Sequence, residues 1–459
     1  MSSVRRSSLL VCALALWLAA CTRSIQPVPT PVAPPTVAAS VSPTLVTTAL
    51  VASPPPSPSP SPSPSASPYP GAAVGQIVRR EGSYEGGTYR YVIPPNWNGG
   101  LVMYAHGIQQ GQGLGPTVEE PPIAGPVLLR GYAWAASSYR AREYVPHFGM
   151  EDTLALKRLF VREVGQPRWT ILYGQSMGGQ ITTTSLETYP DEYQAGLAEC
   201  GVVDGIWEVD FLVAYTAVAQ LISGVPLLDA PDGATLTRLV NEQWLPIMGK
   251  PGAYTDKGRQ FDSVVKYLTG GSATSDLPYR IEGLVPRYVP NLTPSAGVNA
   301  ARVPSFPHVD TTRVVYQIDP GLGLTSEDIN QQVRRIAMQP GARDPSRDPA
   351  FADRTGKLKV PLLTLHTTGD GWVPFSHEQR YREKTIAAGT QDLLVQRAIR
   401  RPRHCEFNAG ERAQAFGDLV SWLETGARPD GDDVLTPDVS QLGVRWTNPL
   451  SPNDPARQP

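Results

Sequence analysis

The chain has 459 residues, and its 40 basic and 42 acidic side chains leave a formal net charge of −2. Because no basic stripe accompanies this balance, the composition argues against a nucleic-acid partner. The sequence contains no CxxC pair, no clustered His/Cys spacing and no dinucleotide-binding fingerprint. Neither a metal nor a cofactor is therefore expected.

The first segment of the chain is typical of a bacterial export signal. Arg5 and Arg6 precede the apolar run LLVCALALWLAA (9–20), which is too short to span a bilayer in the ordinary way. The run ends in LAAC, which resembles the bacterial lipobox. This resemblance implies removal of residues 1–20, lipid on Cys21 and a membrane anchor on the cell surface or in the periplasm. A plain signal peptide cut nearby is the alternative.

A linker follows the export signal. Residues 21–74 are rich in proline and serine, and SPPPSPSPSPSPSASPYP (53–70) nearly alternates the two. Proline removes backbone donors and favours an extended helix, so this segment cannot build a core and is predicted to be a disordered, semi-rigid spacer. The remaining part, to about residue 427, is long enough for a core domain plus an insertion.

Beyond the linker, strand patterns alternate with helix patterns, which predicts an α/β fold with a mainly parallel sheet and helices on both faces. Two short strands joined by a glycine-rich turn come first, and the later strands are apolar runs typical of burial on both faces. The predicted strands are 76–82, 88–94, 99–107, 131–140, 169–173 and 195–201, and the predicted helices are 148–165 and the segment from the following turn to about residue 189.

The stretch GQSMGG (174–179) lies between a predicted strand and a predicted helix. In this position Gly174 and Gly178 allow the close backbone approach that a sharp strand-to-helix turn needs. The same turn exposes the hydroxyl of Ser176 above the sheet, at the positive end of the following helix. The pattern predicts that Ser176 is a nucleophile.

Three motifs in this sequence resemble those of the α/β-hydrolase superfamily, in particular its esterase-like serine hydrolases. They are YGQSMGG (173–179), VPLLTLHTTGDGWVP (360–374) and RPRHCEF (401–407), and the resemblance covers most of 76–202 and 357–425. It implies a mostly parallel sheet flanked by helices and a catalytic triad in the chain order Ser176, Asp370 and His404. The predicted core is therefore 75–202 and 357–427, with residues 428–459 as a C-terminal tail.

The resemblance also implies an oxyanion hole built from backbone donors. One is the N–H of Met177, which follows the nucleophile. The second is expected from the loop after MYAHG, at Ile108, with Gly107 as the near alternative. His106 precedes this loop and is expected to be structural.

Other carboxylates and histidines compete for these roles. Asp204 is the rival acid, because some hydrolases take the acid from the end of the preceding strand. His366 is expected to be a core histidine, and Trp372 either lines the pocket or fills the core. Three further histidines lie in loops or insertions, in no motif that would bring them to the catalytic serine: His147, His308 and His377.

Residues 203–356 interrupt the order of strands and helices expected for the hydrolase core. They are predicted to form a mainly helical cap over the site. A helix is predicted over 206–225, with Trp207, Phe211 and Tyr215 on one face, and another over 325–341. These aromatic side chains either form the core of the cap or face the cleft.

The resemblance also implies a role for Cys200 and Cys405, the two cysteines that are neither in the predicted export signal nor predicted to carry lipid. In the sheet order of this superfamily Cys200 ends the strand beside that of the nucleophile, and Cys405 directly follows the histidine. Both then lie at the catalytic edge, and a disulfide between them would persist in an oxidising compartment. Two buried free thiols are the alternative.

Together these features predict an exported, lipid-anchored serine hydrolase that cleaves carboxylic esters through an acyl-enzyme. Its partners are then a small-molecule or polymer-derived ester and, through Cys21, a membrane. Two alternatives remain: a prolyl-oligopeptidase-like serine peptidase, which shares fold and triad, and a non-enzymatic surface binding module.

Overall fold

The computed structural model describes residues 76–85, 87–109, 115–275 and 307–457. The predicted export signal, Cys21 and the proline-rich segment lie outside these ranges. No helix within the described ranges combines the length and the apolar character needed to cross a membrane.

Within the described ranges, eight strands form one sheet in the order β1-β2-β4-β3-β5-β6-β9-β10. The pairs β1–β2 and β2–β4 are antiparallel, and every later pair is parallel. Two further strands, β7 and β8, form a small hairpin in the cap. The strands are β1 Val78–Tyr84, β2 Gly87–Ile93, β3 Gly100–Ala105, β4 Ala133–Ser137, β5 Trp169–Gln175, β6 Ala195–Glu199, β7 Gly249–Lys250, β8 Ala253–Tyr254, β9 Leu362–Thr367 and β10 Leu394–Ile399.

Helices cover the sheet and build the cap. The core helices are α1 Ala124–Leu129, α2 Pro146–Glu163, α3 Met177–Thr188, α10 Ser376–Ala388 and α11 Ala409–Thr425. Those of the cap are α4 Trp207–Ser223, α5 Gly233–Leu239, α6 Leu245–Met248, α7 Asp256–Thr269, α8 Ser272–Ser275 and α9 Ser326–Gln332. The predicted fold class, a mostly parallel sheet with helices on both faces, is confirmed.

Side-chain alternation along the central strands assigns each helix to a face of the sheet. Leu101 and Met103 of β3 belong to the same buried cluster as side chains of α2 and α3. Val102 and Tyr104, which point the other way, belong to the cluster that includes side chains of α1 and α11. Because every β3 residue is buried, the strand reads as a continuous apolar run rather than as an alternating one.

The cap has an apolar core of its own. Phe211 and Tyr215 of α4 are buried in it, and the Tyr215 ring meets that of Phe261 edge-on at 5.2 Å between centroids. Trp207 is buried at the start of the same helix, under the guanidinium of Arg380. Of the two interpretations left open by the sequence, the structure places these aromatic side chains in the core of the cap.

The helix predicted over 325–341 is shorter in the structure. It begins as expected with a capping box between Thr325 and Asp328, but α9 ends at Gln332 and Val333 is already extended. Thr311 causes the early end, because its backbone N–H donates to the carbonyl of Ile336 and its hydroxyl accepts the N–H of Ile336, both at 2.8 Å. A long-range pairing therefore replaces the last turns of the predicted helix.

The segment after α11 packs back against β10. The guanidinium of Arg400, which is fully buried, donates to the carbonyls of Leu442 and Ser440, both at 2.6 Å, and pairs with Asp454 at 2.7 Å. Asp432 accepts the N–H of Ala398 in β10 at 2.7 Å. The C-terminal segment thus supports the strand that leads into the loop of His404.

Candidate active site

Ser176 occupies a strained turn between β5 and α3. Its backbone angles are φ 55° and ψ −121°, a region that residues with a side chain rarely adopt. Its N–H donates to the carbonyl of Glu199 at 3.1 Å, and its carbonyl accepts the N–H groups of Gly179 and Val202 at 2.8 and 3.1 Å. Contacts to β6 and to the loop after it therefore hold the turn in place.

Glycines let three backbone segments meet at this turn. A Cβ atom on Gly174 would overlap the carbonyl of Gly178, and one on Gly178 would overlap the carbonyl of Ala105 in β3. A Cβ atom on Gly179 would overlap the backbone of Gly201. Any side chain at these positions would push α3 away from the sheet and displace Ser176.

His404 connects the serine to a carboxylate. Its Nε2 lies 2.9 Å from Oγ of Ser176, and its Nδ1 lies 2.6 Å from Oδ2 of Asp370. Because an ionised carboxylate only accepts, Nδ1 carries the proton and Nε2 is free to accept from the serine hydroxyl. The other oxygen of Asp370 accepts the N–H groups of Trp372 and Val373 at 2.9 and 3.0 Å, which compensates the complete burial of this carboxylate.

The strand order and these positions together decide the fold family. The serine turn follows β5, Asp370 follows β9 and His404 follows β10, all at the carboxyl edge of the parallel strands. The chain has the α/β-hydrolase fold. The fold implied by the resemblance to α/β-hydrolases is thereby confirmed, and helices α4 to α9 lie between β6 and β9 in chain order.

Known proteins resemble the chain at low sequence identity. No family model matches it. It is 24% identical over 409 residues to an o-phthalyl amidase from Xanthobacter agilis, which covers 76% of this chain and 88% of the amidase. Similar solved structures include feruloyl esterase B from Aspergillus oryzae, with 14% identity, a TM-score of 0.40, and coverage of 77% of this chain and 81% of that one.

A second similar structure is an acylaminoacyl peptidase from Pyrococcus horikoshii, with 13% identity and a TM-score of 0.38. The match covers 78% of this chain and 44% of the peptidase. This chain therefore spans less than half the length of that peptidase.

The loop after β3 lies beside the nucleophile, where the oxyanion hole of an α/β-hydrolase is expected. A Cβ atom on Gly107 would lie 3.1 Å from that of Ser176. Nδ1 of His106 lies 2.7 Å from the carbonyl of Gly107. Since the N–H and C=O of a trans peptide point in opposite directions, this contact aims the N–H of Ile108 away from His106. Met177 opens α3, so its N–H belongs to the helix end that lacks intrahelical acceptors.

His106 itself is part of the scaffold. Its ring stacks on that of Tyr139 at 3.9 Å between centroids. Burial lowers the pKa of His106, so the neutral ring donates from Nδ1 to the carbonyl of Gly107. These contacts agree with the structural role expected for His106.

Asp204, the rival acid, is occupied elsewhere. Its carboxylate is fully buried, accepts from Nε of Arg380 at 2.8 Å and pairs with Lys384. Its backbone N–H donates to Nδ1 of His377 at 3.2 Å. The structure brings Asp370, and not Asp204, to His404.

The remaining histidines have partners away from the serine. His377 is buried, and its Nε2 lies 2.9 Å from Oε2 of Glu208. The rings of His147 and His308 lie 5.7 and 5.3 Å from that of Phe351. Trp372, in contrast, is 42% exposed and its ring lies 6.4 Å from that of His404, which favours a pocket wall over core filling.

A buried polar network behind the serine was not anticipated from the sequence. Glu199 accepts from Tyr173 Oη, Gln175 Nε2 and Arg412 Nε at 2.9, 2.7 and 3.0 Å. Arg412 also donates to the carbonyls of Cys405 and Phe407, which follow His404 in its loop. Burial raises the pKa of Glu199, and Arg412 opposes this effect. The sequence feature that could have indicated this network is Glu199, a carboxylate within the apolar run AGLAECG (195–201).

Cys200 and Cys405 are joined by a disulfide in the structure, with their Cα atoms 5.1 Å apart. Cys200 follows β6 and its N–H donates to the carbonyl of Leu365 in β9 at 2.7 Å. Cys405 adjoins His404. The bridge therefore ties the histidine loop to the sheet beside the nucleophile.

We expect loss of this bridge to destabilise the protein. A bridge closing a loop of 205 residues contributes at most about 4–5 kcal/mol to the free energy of unfolding in the chain-entropy model. The double variant Cys200→Ala/Cys405→Ala should unfold at lower urea concentration, and reduced wild-type protein is the matched control. Mass mapping that finds both cysteines alkylated before reduction would contradict the bridge.

The choice of acid can be tested with two isosteric variants. Asp370→Asn keeps the shape but loses the charge that fixes the tautomer of His404, so kcat should fall by about 10⁴-fold. Asp204→Asn should weaken the contacts to Arg380 and Lys384 and lower stability while leaving most of kcat. Turnover of a nitrophenyl ester and urea unfolding should be measured for both. A larger loss of turnover in Asp204→Asn would make Asp204 the acid.

Proposed function

We propose that this protein is a serine hydrolase that cleaves neutral carboxylic esters. The observation that carries the proposal is the continuous hydrogen-bonded chain from Ser176 Oγ through His404 to Asp370. A serine hydroxyl becomes a competent nucleophile when a neutral imidazole can take its proton. The amidase relative, which aligns over most of its own length, supports the same general class.

The reaction proceeds in two halves. Ser176 Oγ attacks the ester carbonyl carbon while Nε2 of His404 takes the hydroxyl proton, and Asp370 stabilises the resulting imidazolium. The N–H groups of Met177 and Ile108, with Gly107 as the alternative, bind the negative oxygen. Collapse of the intermediate breaks the bond to the alcohol oxygen, which receives the proton from His404.

Water completes the reaction. His404 removes a proton from water, which attacks the acyl carbon bound to Ser176 Oγ. The second tetrahedral intermediate releases the carboxylic acid, and the proton returns from His404 to the serine. One ester and one water are the reactants of this cycle.

The side chains around the histidine loop support an uncharged substrate. Ile108 and Trp372 are large apolar side chains exposed beside the site, at 41% and 42%. Arg400 is buried against the C-terminal segment, and Arg401 pairs with Glu411 at 2.7 Å. These two arginines are therefore engaged away from the site, which favours neutral esters with aromatic or aliphatic groups over acidic ones.

Amide hydrolysis is the second candidate, and the similarity to an amidase favours it. The same triad serves both reactions, since the nucleophile, base and oxyanion donors act on either carbonyl. The difference lies in the leaving amine, which must be protonated by His404 before it departs. A peptidase activity belongs to this second candidate.

A matched set of substrates separates the two candidates. Nitrophenyl esters and anilides that share one acyl group should be compared by kcat/KM, and we expect the esters to be cleaved faster for every acyl group. Ser176→Ala should lose about 10⁴-fold or more in kcat, and a fluorophosphonate should label wild-type protein at Ser176 but not this variant. Faster cleavage of amino-acyl anilides than of any ester would favour the peptidase, and failure to label Ser176 would overturn the mechanism.

We also propose that the enzyme is exported and held at a membrane by lipid on Cys21. The support is the short apolar run that ends in LAAC, followed by the proline-rich segment. Wild-type protein should fractionate with membranes, and Cys21→Ala should remain uncut or become soluble. Soluble wild-type protein with an N-terminus beyond residue 21 would refute the anchor.

A further inference from the structure

A second histidine, His366, lies close to Asp370, the acid of the site. His366 lies in β9 four residues before Asp370, and its side chain is fully buried. Its Nε2 lies 2.8 Å from the carbonyl oxygen of Val373. A carbonyl oxygen only accepts hydrogen bonds, so Nε2 must carry a proton.

The other ring nitrogen also faces an acceptor. Nδ1 of His366 lies 3.2 Å from Oε1 of Glu378 in α10. The second oxygen of Glu378 already accepts from Thr364 Oγ1 at 2.6 Å and from Gln396 Nε2 at 2.5 Å. Two donors on one oxygen favour the ionised carboxylate, and Nδ1 must then donate as well. With a proton on each ring nitrogen, His366 would carry a positive charge.

This charge lies close to the acid. Nε2 of His366 is 3.8 Å from Oδ2 of Asp370, the same oxygen that binds Nδ1 of His404. At that distance an attraction between opposite charges in a dry interior is substantial. A positive His366 therefore favours the ionised form of Asp370.

The other groups around His366 do not supply this charge. The ring of Phe375 meets it edge-on at 5.9 Å. His377 accepts the N–H of Asp204 on Nδ1, and burial lowers the pKa of His377 well below its ordinary value. Burial also raises the pKa of Glu208 well above its ordinary value, with a smaller contribution from the charge of Asp370. His377 and Glu208 are thus neutral neighbours.

We propose that His366 is a positively charged positioning residue that keeps Asp370 ionised beneath His404 and so sets the lower pH limit of catalysis. The catalytic half of this inference rests on the proposed function, whereas the charge on the ring does not. Burial alone would lower the pKa of His366, yet the contact with Glu378 and the nearby charge of Asp370 raise it above the ordinary value. The direction agrees with the geometry.

The sign of the effect on activity follows from charge. The reaction needs Asp370 ionised and His404 neutral before attack, and a cation beside Asp370 opposes proton binding at both. Without this cation both groups take up protons more readily as pH falls. The acid limb of the pH profile then moves to higher pH, while activity well above that limb is retained.

The first test compares pH profiles of kcat/KM for a neutral ester. His366→Gln and Glu378→Gln should each move the acid limb upward by about half to one pH unit, the first by removing the cation and the second by removing its counter-charge. His377→Gln is the matched control, since it replaces an equally buried but neutral histidine and should leave the limb in place. A uniform loss at every pH, or no movement of the limb, would reduce His366 to a structural residue.

The second test needs no activity. In full-length Ser176→Ala protein with ¹⁵N-labelled histidine, both ring nitrogens of His366 should carry protons near pH 7, assigned by their absence in His366→Gln or, if that variant does not fold, by their change in Glu378→Gln. A single protonated nitrogen would overturn the proposal. If the wild-type enzyme cleaves no ester or amide, the proposed function fails, and the NMR result still decides whether the ring is charged.

Discussion

The close approach of three backbone segments around Ser176 is the constraint on which the site depends. Gly178 touches the end of β3, and Gly179 touches the loop after β6. The positive φ of Ser176 costs on the order of 1–3 kcal/mol and persists because these contacts leave the turn no room to relax. A Cβ atom at either glycine would relieve the strain by separating α3 from the sheet, and the hydroxyl would then move away from both His404 and the loop of Gly107.

The histidine must reach this turn from 228 residues further along the chain. Parallel pairing of β6, β9 and β10 accomplishes most of that approach, since it brings the carboxyl ends of the strands to one edge. Two links then fix the loop itself. The disulfide joins Cys405 to the end of β6, and Arg412 connects the carbonyls of the loop to Glu199, whose own carbonyl accepts the N–H of Ser176. The turn of Ser176 and the loop of His404 are therefore both held by the end of β6.

Local patterns in the sequence predict those parts of the structure that depend on neighbouring residues. The apolar runs predict the strands to within a few residues, as the strand predicted over 195–201 and observed as β6 at Ala195–Glu199 shows. Ser176, Asp370 and His404 could be predicted because each lies in a short motif of its own. Helix α10 was not predicted, and the last turns of α9 were predicted wrongly, because long-range contacts such as that of Thr311 with Ile336 decide them. The network of Glu199 and Arg412 joins residues 213 apart, and no local pattern records such a pair.

Asp370 differs in its partners from the buried carboxylates that pair with arginine or lysine. Glu199 is paired with Arg412, Asp204 with Arg380 and Lys384, and Asp210 with Arg343. Asp370 instead accepts two backbone N–H groups and Nδ1 of His404, with the ring of His366 beyond hydrogen-bond distance. An arginine bound directly to Asp370 would neutralise the charge that the imidazolium needs. Neutral donors and a more distant cation keep the carboxylate ionised, so its charge remains available when His404 takes the proton from Ser176.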